Sequence, residues 1–242
     1  MPELLVGNGA AVLQYTAVQQ DRPTADDAVR LAEIDVVVPI ILEQLAGCWF
    51  TSDDEPLIDA LLDAGASLVR YGHLYHRSLT SRDRELMPSA GGEFTISPID
   101  RTPAELALLA TLAYPPGHAD HDMFDNDGAE VVAALLNGKL VGPYLPDPSG
   151  QIVSAGLLVA ACIINRIPDD ARSGGPWVSD VFRRPGPRYR GLGRVLLERS
   201  IAVLAEAGES SLGLVVTDGN PVVRLYEHLG FEHVSSRRKL AI

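Results

Sequence analysis

The feature that most constrains the fold is a strand that runs through a short turn into a long apolar helix. Residues 177–183 (WVSDVFR) are rich in β-branched and aromatic residues, which predicts a strand. Residues 190–208 have helical apolar spacing and end at Gly208, which predicts a helix. A strand that leads into such a helix indicates a sheet with a helix packed against it.

Further strands and helices are predicted on both sides of this segment. Thr102, Pro103 and Glu105 have the spacing of a helix N-cap, first helical position and capping box, and Asn220 and Pro221 provide a similar helix start. The predicted strands are 94–99, 151–165, 177–183, 211–217 and 231–242, and the predicted helices are 102–114, 128–138, 190–208 and 220–230. We therefore expect an α/β fold with a mixed sheet (α+β) and helices packed on it.

The composition places the chain among globular proteins. The 242 residues carry a formal net charge of −12, with 46% hydrophobic and 21% charged residues, so we expect no extended nucleic-acid surface. The amino end lacks the basic start of a signal peptide, and the apolar run 155–164 is too short to span a bilayer. These features predict a cytoplasmic protein without a membrane partner. Cys48 and Cys162 are expected to be free thiols in apolar surroundings.

A segment rich in Pro, Ser and Gly divides the chain. Residues 87–94 (MPSAGGEF) favour a flexible or turning backbone, so we predict a domain boundary near residue 91. This boundary separates an N-terminal α/β region, 1–90, from a larger domain, 91–242.

The turn before the helix 190–208 carries a local charge opposite to that of the whole chain. Gly191 and Gly193 lie where a backbone without side chains can approach a ligand, and the helix N-terminus favours an anion. A phosphate or pyrophosphate ligand and a solvated basic helix start are the two alternatives. The P-loop pattern is not met, because Leu192 and Gly193 stand where Lys and Ser or Thr are needed, and Leu196 replaces the third glycine of the dinucleotide fingerprint. The arginines of this stretch are Arg183, Arg184, Arg188, Arg190, Arg194 and Arg199.

Two motifs resemble those of the GNAT superfamily of N-acyltransferases. The first is a strand followed by Pro185, then Arg188, Gly191 and Gly193 in the family's Arg/Gln-x-x-Gly-x-Gly/Ala pattern. The second follows in 212–234 (LGLVVTDGNPVVRLYEHLGFEHV), with a strand, Asn220, a Leu-Tyr pair and Gly-Phe. The resemblance covers residues 93–242 and implies the GNAT fold, β α α β β β α β α β, and the use of acetyl-CoA.

The resemblance also implies the roles of several residues. The backbone amides from Arg188 through Arg194 would bind the coenzyme A pyrophosphate, and the strand backbone at Val181–Arg183 would pair with the pantetheine arm. The N–H of Val181 or Phe182 would stabilise the oxyanion, and Asn220 and Tyr226 would line the thiol end. Tyr226 is the expected general acid, since its ordinary pKa of about 10 allows it to protonate a thiolate. The implied cofactor-binding residues are Val181, Phe182, Arg183, Arg188, Tyr189, Arg190, Gly191, Leu192, Gly193, Arg194 and Asn220.

The general base has several alternatives. The family often places a Glu on the strand before the phosphate turn, whereas this chain has Asp180 there, with Ser179 and Glu232 as other choices. Strand alternation puts Asp180 and Phe182 on one face and Ser179 and Val181 on the other. Residues 115–127 form an acidic loop, for which there are three alternatives. It is solvated, it attracts a cationic amine and supplies a base, or it binds a metal. No zinc or EF-hand spacing is present, and no metal is expected. The loop's titratable residues are His118, Asp120, His121, Asp122, Asp125 and Asp127.

The N-terminal region resembles a reduced, inert copy of the same fold. Residues 55–71 align without a gap on 220–236, with Gly65 on Gly230. Glu55 and Leu61 replace Asn220 and Tyr226, which predicts that this copy is inactive; a generic helix–Gly–strand unit is the alternative.

The function expected from the sequence is acetyl transfer from acetyl-CoA to a primary amine by direct attack in a ternary complex. The acceptor is expected to be a cationic small molecule or peptide, because the protein is acidic. A sensor or structural module that binds acyl-CoA without turnover, and a nucleotide-dependent enzyme, are the alternatives. A homodimer is one expected assembly, since sheet edges in this fold often pair between subunits.

Overall fold

The computed structural model of the chain describes residues 2–19, 22–86, 88–121, 124, 127–168 and 174–242. The chain divides into two compact units, Met1–Leu74 together with Ser235–Ile242, and Tyr75–Val234. The predicted boundary near residue 91 lies within the second of these units.

The described residues of the first unit form a sheet and two helices. Its elements are β1 (Pro2–Gly7), β2 (Ala10–Gln19), β3 (Pro23–Arg30), α1 (Ile34–Gln44), β4 (Trp49–Ser52), α2 (Glu55–Asp63), the start of β5 (Ser67–Ser78) and most of β11 (Glu232–Ala241). The sheet order is β1-β2-β3-β4-β11-β5, and the core contains Leu13, Ile41, Phe50, Leu57 and Leu240, all fully buried.

The second unit contains the end of β5 and the element order that the resemblance implies. Its further elements are β6 (Phe94–Ser97), α3 (Pro103–Ala113), α4 (Gly128–Leu136), β7 (Gly150–Ser154), β8 (Leu157–Ile167), β9 (Gly175–Arg183), α5 (Leu192–Glu206), β10 (Ser211–Thr217) and α6 (Val223–His228). From β6 to β11 the order is β α α β β β α β α β, so the prediction of an α/β fold with a mixed sheet is confirmed. The sheet order is β5-β10-β9-β8-β7-β6, in which β9 and β10 are parallel and β6 to β9 are antiparallel.

The prediction of one long strand over 151–165 was wrong, because this segment is the hairpin of β7 and β8. The turn consists of Ala155 and Gly156, which both have positive φ angles, 49° and 80°. Alanine rarely adopts this backbone conformation, so the pair does not resemble the Asn-Gly and Asp-Gly turns that mark hairpins in a sequence.

The helix starts agree with the sequence at α3 and differ at α6. The Thr102 hydroxyl accepts the Glu105 N–H and the Glu105 carboxylate accepts the Thr102 N–H, which is the predicted capping box. Asn220 was predicted as the N-cap of the last helix, but α6 begins at Val223. The Asn220 side chain instead accepts the Val222 N–H at 3.0 Å and closes a turn before the helix.

The central strands β8 and β9 are covered on both faces. One face packs against α5 through residues such as Leu196, Leu197 and Val178. The other face packs against α3 and α4 through residues such as Leu106, Val132 and Phe182. This three-layer packing explains why β8 is a nearly continuous apolar run with little strand alternation.

Residues 75–86 are an integral part of the second unit. The Arg77 guanidinium hydrogen bonds with the Asp83 carboxylate and the Leu229 carbonyl. The Leu79 N–H donates to the Ser210 carbonyl at 2.9 Å, and Arg84 donates to the Ala205 carbonyl at 3.1 Å.

The element order of the first unit repeats part of the second. The series β1, β2, β3, α1, β4, α2, β5 has the same order and the same antiparallel, antiparallel, parallel pairings as β7, β8, β9, α5, β10, α6, β11. Gly65 after α2 and Gly230 after α6 both have positive φ angles, 106° and 79°, as the alignment of 55–71 on 220–236 predicts.

Candidate acyl-transfer site

The parallel strands β9 and β10 part from each other along their length. Within the described segment 174–242, their ladder contains one residue pair, Trp177 with Gly213. Both strands continue beyond this pair, to Arg183 and Thr217. The backbone groups in the carboxyl half of β9 are therefore not used by a ladder with β10. An extended ligand can lie beside the strand at this place.

A β-bulge at Ser179 determines which way the side chains of β9 face. Asp180 pairs with Ile163 and Val178 pairs with Ile164, so the ladder skips Ser179. Asp180 and Phe182 face α3 and α4 as one set, as the alternation predicts. Ser179 was predicted on the opposite face, but it donates to Asn165 Oδ1 at 2.8 Å, and Asn165 itself donates to the Leu135 carbonyl of α4. The bulge is the reason for this difference.

Asp180 is held by a tyrosine at the end of α3. It is 8% exposed, and its Oδ1 accepts the Tyr114 hydroxyl at 2.6 Å. Tyr114 stacks on Phe124 and its hydroxyl also lies 3.3 Å from the Val181 carbonyl. Burial, together with the negative charge of Asp180, raises the pKa of Tyr114 well above its ordinary value. Tyr114 therefore remains a hydrogen-bond donor to the carboxylate.

The loop after α3 brings a second carboxylate to the end of β10. Asp120 accepts a hydrogen bond from the Thr217 hydroxyl and another from Asn220 Nδ2 at 2.8 Å. Its own N–H donates to His118 Nδ1 at 3.1 Å, and the His118 ring lies 4.8 Å from the Tyr114 ring. Contacts thus run from Asp180 through Tyr114 and His118 to Asp120, linking the parted ends of β9 and β10.

The remaining members of the acidic loop are placed differently. His121 Nδ1 donates to the Tyr114 carbonyl at 2.9 Å, which helps to fix the start of the loop. Asp127 precedes α4, and the predicted members Asp122 and Asp125 lie outside the described residues. No group of three or more His, Cys, Asp or Glu side chains that could hold a metal is found in the described part of the chain.

Tyr226 is buried on α6 with its ring edge toward Phe231. It is 7% exposed, and the two ring centroids are 5.8 Å apart. Burial raises the pKa of Tyr226 far above its ordinary value, and the negative charges of Asp180 and Asp120 add to the effect. The hydroxyl therefore stays protonated, and no hydrogen bond joins it to another of the described residues. A proton donor must be protonated, and the raised pKa also makes this hydroxyl a weaker acid than the ordinary value on which the sequence prediction relied.

The turn between β9 and α5 has the backbone geometry of an anion-binding loop. Gly186 and Gly191 have φ angles of 109° and 84°, and open space surrounds the position that a Cβ would occupy at each. The first hydrogen bond of α5 runs from the Val195 N–H to the Gly191 carbonyl at 3.0 Å. The amides of Leu192, Gly193 and Arg194 precede that bond, as the first N–H groups of a helix do, and they fit a pyrophosphate.

Most arginine side chains of the stretch have protein partners. Arg188 is paired with Glu93, Arg194 Nε is 2.7 Å from Glu198 Oε1, and Arg199 donates to the Ser149 carbonyl at 3.0 Å. Arg183 donates to the Arg184 carbonyl, and Arg184 donates to the Leu158 carbonyl. Arg190 is exposed beside the turn, and Tyr189 packs edge-on against Phe94. Most of this positive charge is therefore engaged by protein groups, which leaves the backbone amides at the start of α5 as the groups best able to meet an anion.

Of the three predicted base candidates, Asp180 has the most suitable position. Ser179 is engaged with Asn165, and Glu232 is exposed on β11. Only the charge of Asp180, among these three, contributes to the raised pKa of Tyr226.

The sequence reasoning missed Tyr114 and the contacts of Asp120. Tyr114 is the last residue before Pro115 and Pro116 and resembles an ordinary helix-end aromatic residue. Asp120 was one of six titratable residues in its loop, and only the fold brings it to Thr217, 97 positions away in sequence.

The described residues 22–74 of the first unit are arranged differently at the equivalent place. Its parallel pair β3 and β4 stays joined to Ser52, whose hydroxyl donates to the Ala28 carbonyl at 2.6 Å. Arg30 and Asp54 form an ion pair at 2.7 Å beyond that point. The connection from β3 to α1 contains no glycine.

Comparisons with known proteins bear on the family and the fold. The model of the FR47-like protein family, which is related to GNAT proteins, matches residues 174–240, well under half of the chain. A search of curated proteins found no match. No helix in the described ranges is both long and apolar enough to cross a bilayer.

Solved structures with a similar fold include GCN5-related N-acetyltransferases. The protein from Sphaerobacter thermophilus is 14% identical with a TM-score of 0.63, covering 96% of this chain and 77% of its own. The protein from Kribbella flavida is 18% identical with a TM-score of 0.57, covering 99% and 88%. A tandem GNAT protein from the clavulanic acid biosynthesis pathway is 11% identical with a TM-score of 0.56, covering 97% and 80%. The chain has the GNAT fold, and the resemblance found in the sequence is confirmed.

Proposed function

We propose that the chain is an N-acetyltransferase that moves an acetyl group from acetyl-CoA to a primary amine by direct attack in a ternary complex. The observation that carries this proposal is the coincidence of three features in the second unit. β9 and β10 share one ladder pair, a turn with Gly186 and Gly191 at positive φ follows β9, and Asp180 on β9 is near enough to Tyr226 for its charge to act on that hydroxyl.

The amides of the turn would hold the pyrophosphate of the co-substrate. Because Gly186 and Gly191 have no side chain and open space around them, the backbone can approach a phosphate closely. The free edge of β9 at Val181–Arg183 would hydrogen bond to the pantetheine arm, and the N–H of Val181 or Phe182 would stabilise the oxyanion. Bound acetyl-CoA supplies the activated acyl group as a thioester.

Asp180 and Tyr226 would carry the two proton transfers. As the amine nitrogen forms its bond to the acyl carbon, Asp180 accepts the proton that the nitrogen loses. As the carbon–sulfur bond breaks, Tyr226 donates its proton to the leaving sulfur. The products are an amide and the free thiol, and solvent returns the proton from Asp180 to Tyr226. Tyr114 would keep the Asp180 carboxylate oriented through its 2.6 Å hydrogen bond.

The first unit would have no part in this chemistry. Glu55 and Leu61 stand where the second unit has Asn220 and Tyr226, and β3 and β4 remain joined. We therefore assign one acyl-CoA site to each chain.

Thiol release from acetyl-CoA, measured with a panel of primary amines, tests the proposal. Wild-type protein should release thiol only when an acceptor is present, and Asp180→Asn should lower the rate about 10²-fold or more while leaving coenzyme A binding intact. Saturable coenzyme A binding without release for any amine would instead favour an acyl-CoA sensor. Stabilisation by ATP or NAD but not by coenzyme A would point to a nucleotide-dependent enzyme.

A further inference from the structure

We propose that Asn165 is a positioning residue, which holds the β-bulge of β9 through Ser179 and thereby fixes the face of the strand on which Asp180 lies. The contact is the 2.8 Å hydrogen bond from the Ser179 hydroxyl to Asn165 Oδ1. This inference rests on the proposed function and deepens it, because it names the contact that places the proposed base.

The bulge reverses the side-chain alternation of β9. In a regular strand, residues two apart face the same side of the sheet, so Val178 and Asp180 would share a face. Val178 packs among the residues of α5, whereas Asp180 accepts the Tyr114 hydroxyl at the end of α3. The two residues pair with consecutive residues of β8, which leaves Ser179 as the extra residue. If β9 kept the register of Val178 without the bulge, Asp180 would therefore face α5.

Asn165 is placed to hold this bulge. It is fully buried near the end of β8, and its backbone pairs with Trp177, two residues before Ser179. Its side-chain N–H groups donate to the carbonyls of Leu135 on α4 and Gly142 in the loop after α4, both at 2.8 Å. Because a carbonyl can only accept, the amide nitrogen must point to these two groups and the amide oxygen to Ser179. The Ser179 hydroxyl is then the donor, which sets its direction.

The loop that supplies one of these carbonyls is itself held close to β8. Gly142 has a φ angle of 133°, and a Cβ at this position would overlap the Arg166 carbonyl oxygen, so the approach requires glycine. The Arg166 N–H donates to the Pro143 carbonyl at 2.8 Å. The Asn165 amide is therefore anchored through both of its donor groups, and its third hydrogen bond acts on the bulge.

The burial of Asn165 makes this third hydrogen bond important for the register of β9. A shift of the bulge along the strand would move Asp180 away from Tyr114 and would also leave the buried Asn165 oxygen without the Ser179 donor. A buried polar group that loses its partner bears a desolvation penalty. The contact therefore favours the register in which Asp180 meets Tyr114.

The first test measures this coupling in urea melts and does not depend on activity. Tyr114→Phe removes the hydrogen bond to Asp180 and should lower the urea midpoint of the wild-type protein. In Ser179→Ala, where Asp180 is no longer held toward Tyr114, the same change should lower the midpoint by less than half as much. Ser200→Ala is the matched control, because the Ser200 hydroxyl is also buried and donates to the Pro148 carbonyl at 2.7 Å. Tyr114→Phe should keep its full effect in that background.

The second test measures kcat for thiol release. Ser179→Ala should lower kcat about tenfold or more and change the KM for acetyl-CoA by less than about twofold, because the base is displaced and the amides of the turn are not. In the Asp180→Asn background, Ser179→Ala should have no further effect on kcat, since a positioning residue acts only through the group that it positions. Asn165→Ala removes the same hydrogen bond from its other end and should cause a similar loss of kcat.

The outcomes separate this inference from the proposed function. Equal effects of Tyr114→Phe in the wild-type, Ser179→Ala and Ser200→Ala proteins would overturn the inference and leave the proposed function standing. A loss of kcat in Ser179→Ala that persists in the Asp180→Asn background, or that a folded Asn165→Ala protein does not reproduce, would also overturn it. Coupling in the urea melts without thiol release for any amine would support this placement of Asp180 and overturn the acetyl-transfer proposal.

Discussion

Replacing Tyr226 by Phe separates stability from catalysis more cleanly than any other change in the site. The ring keeps its contact with Phe231, 5.8 Å between centroids, and only the hydroxyl is lost. Because no hydrogen bond joins this hydroxyl to another residue in the described part of the chain, we expect the free energy of unfolding to change by less than about 0.5 kcal/mol. A lost general acid, in contrast, should lower kcat about 10²- to 10⁴-fold, which is roughly 3–5 kcal/mol in activation free energy.

The assay measures initial rates of thiol release at saturating acetyl-CoA and amine, alongside thermal melts of the same samples. Tyr75→Phe is the matched control, since Tyr75 is also 7% exposed and packs against His233 in the same unit. The control should retain full activity. A Tyr226→Phe protein that turns over within threefold of wild type would refute the acid role, and a large loss of stability would show that the hydroxyl has a structural partner.

Three further predictions concern the turn and the edges of the second unit. Gly191→Ala should destabilise the protein by about 1–2 kcal/mol, because φ is 84° at this position. Gly193→Ala lies inside the helix and should be neutral or stabilising by up to about 1 kcal/mol. Equal effects of the two substitutions in urea melts would contradict this assignment. Although burial alone would raise the pKa of Asp83, hydrogen bonds from Thr80 and the charge of Arg77 hold that pKa below its ordinary value. The free energy of unfolding of Asp83→Asn should therefore be about 2–3 kcal/mol lower than that of wild type near pH 7. This difference should shrink as the pH falls through the lowered pKa, because the wild-type carboxyl also becomes neutral there. A difference that stays constant down to pH 2 would disprove this prediction. A fragment of residues 91–242 lacks the strand and turn that bind Leu229, Ser210 and Ala205. It should therefore show no cooperative melt by circular dichroism. A fragment that melts like the whole chain would show that those contacts are dispensable.

The strand and helix order of the second unit could be predicted because local signals were strong there. The capping box at Thr102 and the apolar segment 211–217 predicted the bounds of α3 and β10 within a residue or two of those observed. The β7–β8 hairpin could not be predicted, since Ala155 occupies a backbone conformation that its residue type does not indicate.

The candidate site was only partly predictable, because its side chains come from distant segments. The phosphate turn and Tyr226 are continuous motifs, so their residues could be named from the sequence. The side to which Ser179 points depends on a bulge, and bulges depend on the register of the neighbouring strand. Tyr114 and Asp120 enter the site through tertiary contacts with Asp180 and Thr217, which no local pattern reveals.

Calorimetric titration with coenzyme A tests the central claim most directly, namely that the amides of the turn before α5 bind a diphosphate. Wild-type protein should bind one coenzyme A per chain with a Kd in the micromolar range, about −8 kcal/mol, and Gly193→Asp, which places a carboxylate among these amides, should abolish the binding. The absence of saturable heat from the folded wild-type protein at millimolar coenzyme A would contradict the account.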